Sequence, residues 1–268
     1  MSQTPTNKWK VIKFDEDSLN EIEEEVAAEF PLTVMVNGEE FATMVCTPEN
    51  LHELVVGFLA SEGLIRSYSE IKSVHIDDSL GFAHVMLYRE LDEDRYDHSK
   101  RFIGSCCGKS RQFYFKSDVQ TAKTVMSKMS LSIEQGISLM KLLEEQSNHF
   151  QRTGGVHNAA LCTSDGIEAI RTDIGRHNAL DKIYGYALQN RVRLADKLIV
   201  FSGRISSEVL LKISKIGVGI LLSKSAPTDL ALKLADDLGI TAIGFARKRK
   251  MNVYTHPERI AEAKKYLT

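Results

Sequence analysis

The chain has 268 residues, 43% hydrophobic and 26% charged, with a net charge of −2. That is the make-up of an ordinary globular protein of one large domain or two modest ones, with no global pull toward nucleic acid or anionic membrane. Met1 to Lys10 is polar and lacks a signal peptide's apolar stretch, and no run approaches the ~18 apolar residues of a membrane span. With only four cysteines the chain reads as cytoplasmic, with free thiols.

Residues 1–25 read as a flexible arm ending in the acidic run Glu21 to Glu25. Pro31 to Val36, Asn37-Gly38 and Glu40 to Cys46 make a hairpin signal. Thr47-Pro48 predicts a helix cap and first-turn proline, followed by Leu51, Leu54, Val55, Phe58 and Leu59 at helical spacing, with Gly63 as the stop. Strands are expected at Ser73 to Ile76 and Phe82 to Tyr88, then a charged stretch from Arg89 to Arg101. Residues 26–130 thus form a smaller α+β portion. Residues 131–268 change character: a helix over Ser132 to Phe150, then a hairpin from Val156 to Cys162 and Ile167 to Asp173. A helix over Arg176 to Asn190 follows. Leu198 to Phe201, Glu208 to Ile216, Val218 to Leu222, Asp229 to Leu238 and Ile240 to Phe245 then alternate strand and helix, which predicts parallel pairing in an α/β core. A last helix is expected over Pro257 to Leu267.

Gly104-Ser105-Cys106-Cys107-Gly108-Lys109-Ser110 sets two of the four cysteines in a small-residue loop beside a lysine. Thiolate is the reactive form of cysteine, and a nearby ammonium favours it. Cys46 and Cys162 sit in apolar runs and read as inert core. Adjacent cysteines lack the spacer that turns two sulfurs toward one zinc, so no metal site is assigned. Gly108-Lys109-Ser110 is no phosphate loop, because Ile103 stands where that motif needs glycine.

Ligands of open α/β sheets bind outside the carboxyl ends of the strands. Three such ends carry Ser202-Gly203-Arg204, then Ser223-Lys224-Ser225-Ala226-Pro227-Thr228, then Arg247-Lys248-Arg249-Lys250. The first two run into helix N-termini, which favour anions. The convergence predicts an anionic, nucleotide-like ligand, and the absence of an acidic cluster for magnesium argues against phosphoryl transfer. Gly175-Arg176-His177-Asn178 opens another helix. His177 lies one turn from Asp181, which allows a carboxylate–imidazole pair. His157 and His177 are read as structural groups.

Thr153 to Ala160, the block Asp173-Ile174-Gly175-Arg176-His177-Asn178 with Ala179 to Lys182, Phe201 to Arg204, Ser223 to Thr228 and Val253 to Pro257 together resemble the formate dehydrogenase accessory sulfurtransferase family, FdhD. The likeness runs from about Pro31 to His256. It implies a cytoplasmic homodimer with a core like the cytidine deaminase fold. It also implies a sulfurtransferase that takes persulfide sulfur from a cysteine desulfurase and passes it to the molybdenum bis(molybdopterin guanine dinucleotide) cofactor, as bound substrate, for formate dehydrogenase. Zinc deamination is excluded on ligand grounds, since the only His-x-Glu, His256-Pro257-Glu258, has no cysteine after it. The family's reactive loop is commonly Cys-Gly-x-Cys-Gly. Alignment on Cys107-Gly108 puts Gly104 at the first cysteine, so the carrier role falls on Cys107, with Cys106 beside it. The cofactor-contacting segment corresponds to Phe245, Ala246, Arg247, Lys248, Arg249 and Lys250, with Arg204 and Lys224 alongside. The expected mechanism has Cys107 attack the donor's persulfide, helped by Lys109, in a loop at 102–112 that is mobile because it meets two partners. The alternative is a chaperone that binds the cofactor without covalent chemistry. A third reading, a redox sensor built on a Cys106–Cys107 disulfide, is disfavoured by the strained geometry of adjacent pairs.

Overall fold

The computed structural model describes residues 4–90, 101–103 and 124–266. The chain begins with an antiparallel ribbon, β1 (Thr6–Asp15) and β2 (Ser18–Ala27), in unbroken register from Thr6↔Ala27 to Asp15↔Ser18. The segment expected as a flexible arm is thus a paired ribbon over most of its length. The acidic run is the second strand of the ribbon and faces lysines on the first, with Lys8–Glu23 at 3.6 Å and Lys10–Glu21 at 3.7 Å. Opposite charges across a ladder support pairing that composition alone conceals.

A five-stranded sheet follows. β3 (Phe30–Val36) and β4 (Glu39–Cys46) form the expected hairpin, with Asn37 at φ 51° and Gly38 at φ 93° supplying the two left-handed residues of its turn. Helix α1 (Leu51–Ser61) buries Leu54, Val55, Phe58 and Leu59. It ends at Gly63, φ 78°, as anticipated. Its cap is Asn50 rather than Thr47, and Thr47 has another task described below. β5 (Ile71–Asp77) and β6 (Phe82–Leu87) pair antiparallel, β6 runs parallel to β3, and β7 (Arg101–Ile103) runs parallel to β4, for an order β5-β6-β3-β4-β7.

The expected helix over 132–150 is two helices. α2 (Ile133–Glu145) starts at a Ser132–Gln135 capping box, and α3 (Asn148–Thr153) stops at Gly154 in the left-handed conformation. Then come β8 (His157–Cys162), β9 (Ile167–Asp173), α4 (Arg176–Gln189), β10 (Leu198–Phe201), α5 (Ser207–Ile216), β11 (Ile220–Ser223), α6 (Asp229–Asp237), β12 (Thr241–Arg247) and β13 (Lys250–Val253). The sheet order is β13-β12-β11-β10-β8-β9, with β10, β11 and β12 parallel as expected and the outer strands antiparallel. The C-terminal helix is replaced by short 3-10 turns, Pro257–Arg259 and Ala261–Tyr266.

Alternate residues of these strands face opposite layers. Ile199, Phe201 and Leu221 join a core that also holds Leu180, Ile183, Val209 and Ile213. Leu198, Val200, Ile220 and Leu222 face Leu139, Met140 and Leu143 of α2. The result is a mixed α/β protein with helices on both faces of the larger sheet. The first core continues into Leu32, Val34, Leu54 and Leu59, so the boundary near residue 130 separates two sheets without separating their cores. The junction is the crossing of α1 and α4. A Cβ on Gly57 would sit 1.8 Å from the Asp181 carbonyl oxygen, and one on Gly185 would sit 1.9 Å from that of Glu53. Both positions need glycine because the helix backbones touch.

Candidate functional site

The block from Asp173 to Lys182 divides into two kinds of residue. Asp173 and Lys182 are fully buried and pair at 2.7 Å. The Asp173 carboxylate also accepts from the backbone N–H of Thr47 (3.0 Å) and Gly175 (2.8 Å) and from Asn178 Nδ2 (2.9 Å). Lys182 Nζ donates to the carbonyls of Thr47 (3.1 Å) and Thr172 (2.9 Å), and Thr47 Oγ1 accepts from Ile174 N–H at 3.0 Å. One turn on, Asp181 Oδ1 accepts from Lys212 Nζ at 2.5 Å and from Ser61 Oγ at 2.6 Å. Lys215 Nζ donates to the Ser61 carbonyl at 2.6 Å. These groups bolt β4 and α1 to α4 and α5. Thr47, expected as a cap, is the pivot of the clamp.

Arg176 and His177 occupy the first turn of α4, beside the start of β8 and the loop after β10. A Cβ on Gly203 would lie 3.5 Å from Arg176 Cβ. His177 does not pair with Asp181, which is committed to Lys212 and Ser61; its Nε2 lies 3.1 Å from Glu208 Oε2, on the first turn of α5. Burial lowers the His177 pKa, opposed by Glu208 and reinforced by Lys212 and Arg176. Burial also lowers that of His157, and the charges of Arg176 and His177 add to the effect. Both rings are therefore neutral near pH 7, next to a permanent guanidinium. Glu208 was missed in the sequence; its only signal was a place one turn into the helix following the Gly203 loop.

The first two strand ends are bonded to each other, and the third joins them through Phe245 N–H, which donates to the Ser225 carbonyl at 3.2 Å. Asn158 N–H donates to Ser202 Oγ at 2.9 Å, Ser225 Oγ donates to the Ser202 carbonyl at 3.0 Å, and Ser223 Oγ donates to the Gly203 carbonyl at 2.6 Å. Ser206 and Thr228 cap α5 and α6 by accepting from Val209 and Ala231 N–H. These hydroxyls knit the loops together. Arg204 is exposed beside them. Lys224 is held by Glu144 of α2 at 2.7 Å. On the third loop Phe245 has φ 53° and Lys248 φ 55°, turning the chain sharply on either side of Arg247. The Arg247 guanidinium lies 5.7 Å from the Phe245 ring centroid. Arg247 to Lys250 are exposed, with Arg249 3.8 Å from Glu134, whereas Ala246 is buried in the second core. Ala246 can therefore offer a ligand only its backbone.

Cys46 and Cys162 are free and buried. Desolvation first, then the Asp173 charge, raises the Cys46 pKa, and burial pushes Cys162 up to about 12. Neither can supply a thiolate at neutral pH. Cys106, Cys107 and Lys109 lie outside the described residues, as does most of the loop at 102–112. Among the described residues no cluster of three His, Cys, Asp or Glu could hold a metal ion, and no helix is long and apolar enough to cross a membrane.

The fold and its edge define a mixed α/β protein with a basic rim at the carboxyl ends of its parallel strands, and with its two described thiols withheld from chemistry. The chain belongs to the FdhD/NarQ family, whose model matches residues 27–261. It is 58% identical over 98% of its length, and all of the relative's, to the sulfur carrier protein FdhD of Bacillus subtilis. It is 56% identical over 94% of its length and 96% of the relative's to that of Staphylococcus aureus MRSA252. A solved structure from Desulfotalea psychrophila, described as a formate dehydrogenase accessory protein, superposes with a TM-score of 0.78 at 25% identity. That match covers 95% of this chain and 99% of the other.

Proposed function

We propose that this chain is a sulfurtransferase that carries sulfur for formate dehydrogenase, taking it from a cysteine desulfurase and passing it to the molybdenum bis(molybdopterin guanine dinucleotide) cofactor before insertion. The observation that carries this reading is the full-length likeness to sulfur carriers in a chain whose Cys46 and Cys162 are buried and resist ionisation. A sulfur carrier needs a thiolate, and of the four cysteines only Cys106 and Cys107 are then left to provide it. Cys107 is the carrier, with Cys106 beside it.

In the first step the Cys107 thiolate attacks the outer sulfur of the donor's persulfide. A new S–S bond forms, the old one breaks, and the donor leaves as thiolate, so no net electrons are exchanged. In the second step that bond breaks in turn. Cys107 leaves as thiolate, and the outer sulfur passes to the substrate's metal, which supplies the electron pair. The rim's part is positioning: Arg204, Lys224 and Arg247 to Lys250 hold the dinucleotide phosphates by charge, and the half-buried Phe245 ring backs the Arg247 guanidinium.

The test is maturation of formate dehydrogenase in cells lacking the native carrier. Cys107→Ala abolishes enzyme activity, Cys106→Ala retains part of it, and Cys46→Ser with Cys162→Ala retains the wild-type level. Full activity with Cys107→Ala would show that the chain only holds the cofactor.

A further inference from the structure

Helix α2 ends on carboxylates, the charge its own dipole disfavours. Its last turn holds Glu144 and Glu145 and no basic residue, so both acids face the negative end of the helix. Lys141 of the same helix answers Glu145 at 3.5 Å. The cation for Glu144 comes from the basic rim instead: Lys224 Nζ lies 2.7 Å from Glu144 Oε1, with the two side chains 42% and 43% exposed. Both backbones are fixed. The Glu144 carbonyl accepts from Gln151 Nε2 of α3 at 2.8 Å, and Lys224 N–H donates to the Phe201 carbonyl at 3.1 Å. Parting the pair therefore needs only side-chain rotation. Arg249 and Glu134, at 3.8 Å and both far more exposed, are too loose and too well solvated to hold each other in the same way.

We propose that Glu144 is an internal counter-ion that holds Lys224 between ligands and releases it when a phosphate arrives. This rests on the reading of the rim as the phosphate holder. An incoming phosphate must part the ion pair, and it leaves a carboxylate at a helix C-terminus beside the new anion, so Glu144 weakens the rim's grip. As the phosphate departs, the carboxylate takes the ammonium back, and Lys224 never stands unpaired. Reversible holding of this kind suits a carrier, which must hand its substrate on. Exposed ion pairs change an equilibrium constant by at most about fivefold, so the expected effect of Glu144 on nucleotide affinity is about two- to fivefold.

The test is titration calorimetry of the full chain with GDP, the guanine nucleotide end of the proposed substrate, at low ionic strength so that surface charge is little screened. Glu144→Gln binds GDP about two- to fivefold more tightly than wild type, and Glu145→Gln, the same change of charge one residue on, does not. In a Lys224→Gln background, which binds GDP more weakly, Glu144→Gln brings no gain. A second readout needs no nucleotide: acetic anhydride acetylates Lys224 faster in Glu144→Gln than in wild type, as read by mass spectrometry. Wild-type GDP affinity in Glu144→Gln, an equal gain in Glu145→Gln or in the Lys224→Gln background, or unchanged acetylation of Lys224 would each overturn the proposal and leave the rim's role intact. GDP that binds neither wild type nor variant, or that binds Lys224→Gln as well as wild type, would instead remove Lys224 from the phosphate holder, and the proposal with it.

Discussion

Replacing Lys182 by Met tests the clamp that joins the two sheets. Lys182 and Asp173 are both fully buried, and the ammonium also satisfies the carbonyls of Thr47 and Thr172. Methionine nearly fills the volume but leaves a buried carboxylate without its cation, a change that costs about 3–5 kcal/mol. Three N–H donors, from Thr47, Gly175 and Asn178, remain on that carboxylate and pull the cost toward the lower end. The two stranded carbonyls push it back up by about 1 kcal/mol each. The expected loss is about 4 kcal/mol, or a fall in Tm of about 10 °C for a chain of this size. Calorimetry or far-ultraviolet circular dichroism should read it, because Trp9, the only tryptophan, stands exposed on the ribbon and does not report on the core. Adding Asp173→Asn to Lys182→Met removes the orphaned charge and keeps an acceptor, so the double variant regains about 2 kcal/mol. A single-variant loss under about 1 kcal/mol, or a double variant less stable than the single, would refute the assignment of an ion pair at this junction.

Gly57→Ala should be as damaging as a core cavity, at about 3 kcal/mol or more, because the new methyl meets the backbone of α4 rather than a side chain that could turn away. Gly166→Ala, with open space around it, serves as the control in the same thermal melts. The pH dependence of stability follows from the two histidines. Their folded pKa values lie below the ordinary 6.5, so the unfolded chain binds more protons as the pH falls. Their stabilising contribution is complete above pH 6.5 and is lost as the pH drops through the depressed folded values. Urea midpoints should therefore fall between pH 7 and 5, and the combined His157→Gln and His177→Gln variant should flatten that slope. An unchanged slope would contradict the neutral state of both rings.

Most of the fold was legible because its elements announce themselves locally. Asn37-Gly38 marks a turn, Gly63 marks a helix end, and the apolar runs at Leu198 and Ile220 are too short for helices. What stayed hidden depends on distant partners. The ribbon's strands look like a solvated charge run until Lys8 and Lys10 are set opposite Glu23 and Glu21. Thr47-Pro48 has the chemistry of a cap, but Asp173, 126 residues away, claims the Thr47 N–H. His177 and Asp181 have the spacing of a pair, but Lys212 outbids the histidine for the carboxylate. At the rim, the cationic residues were readable from sequence, whereas the ion pairs of Lys224 with Glu144 and of Arg249 with Glu134 come from α2, which joins the edge only in three dimensions.

The carrier assignment is tested most directly by mass. After incubation with a cysteine desulfurase and cysteine, then alkylation and digestion, the peptide containing Cys107 should gain about 32 Da, the mass of one sulfur atom, as a persulfide. Cys46 and Cys162 should remain unmodified. An adduct on either buried thiol, or none on the 104–110 loop under conditions in which the desulfurase turns over, would contradict the account.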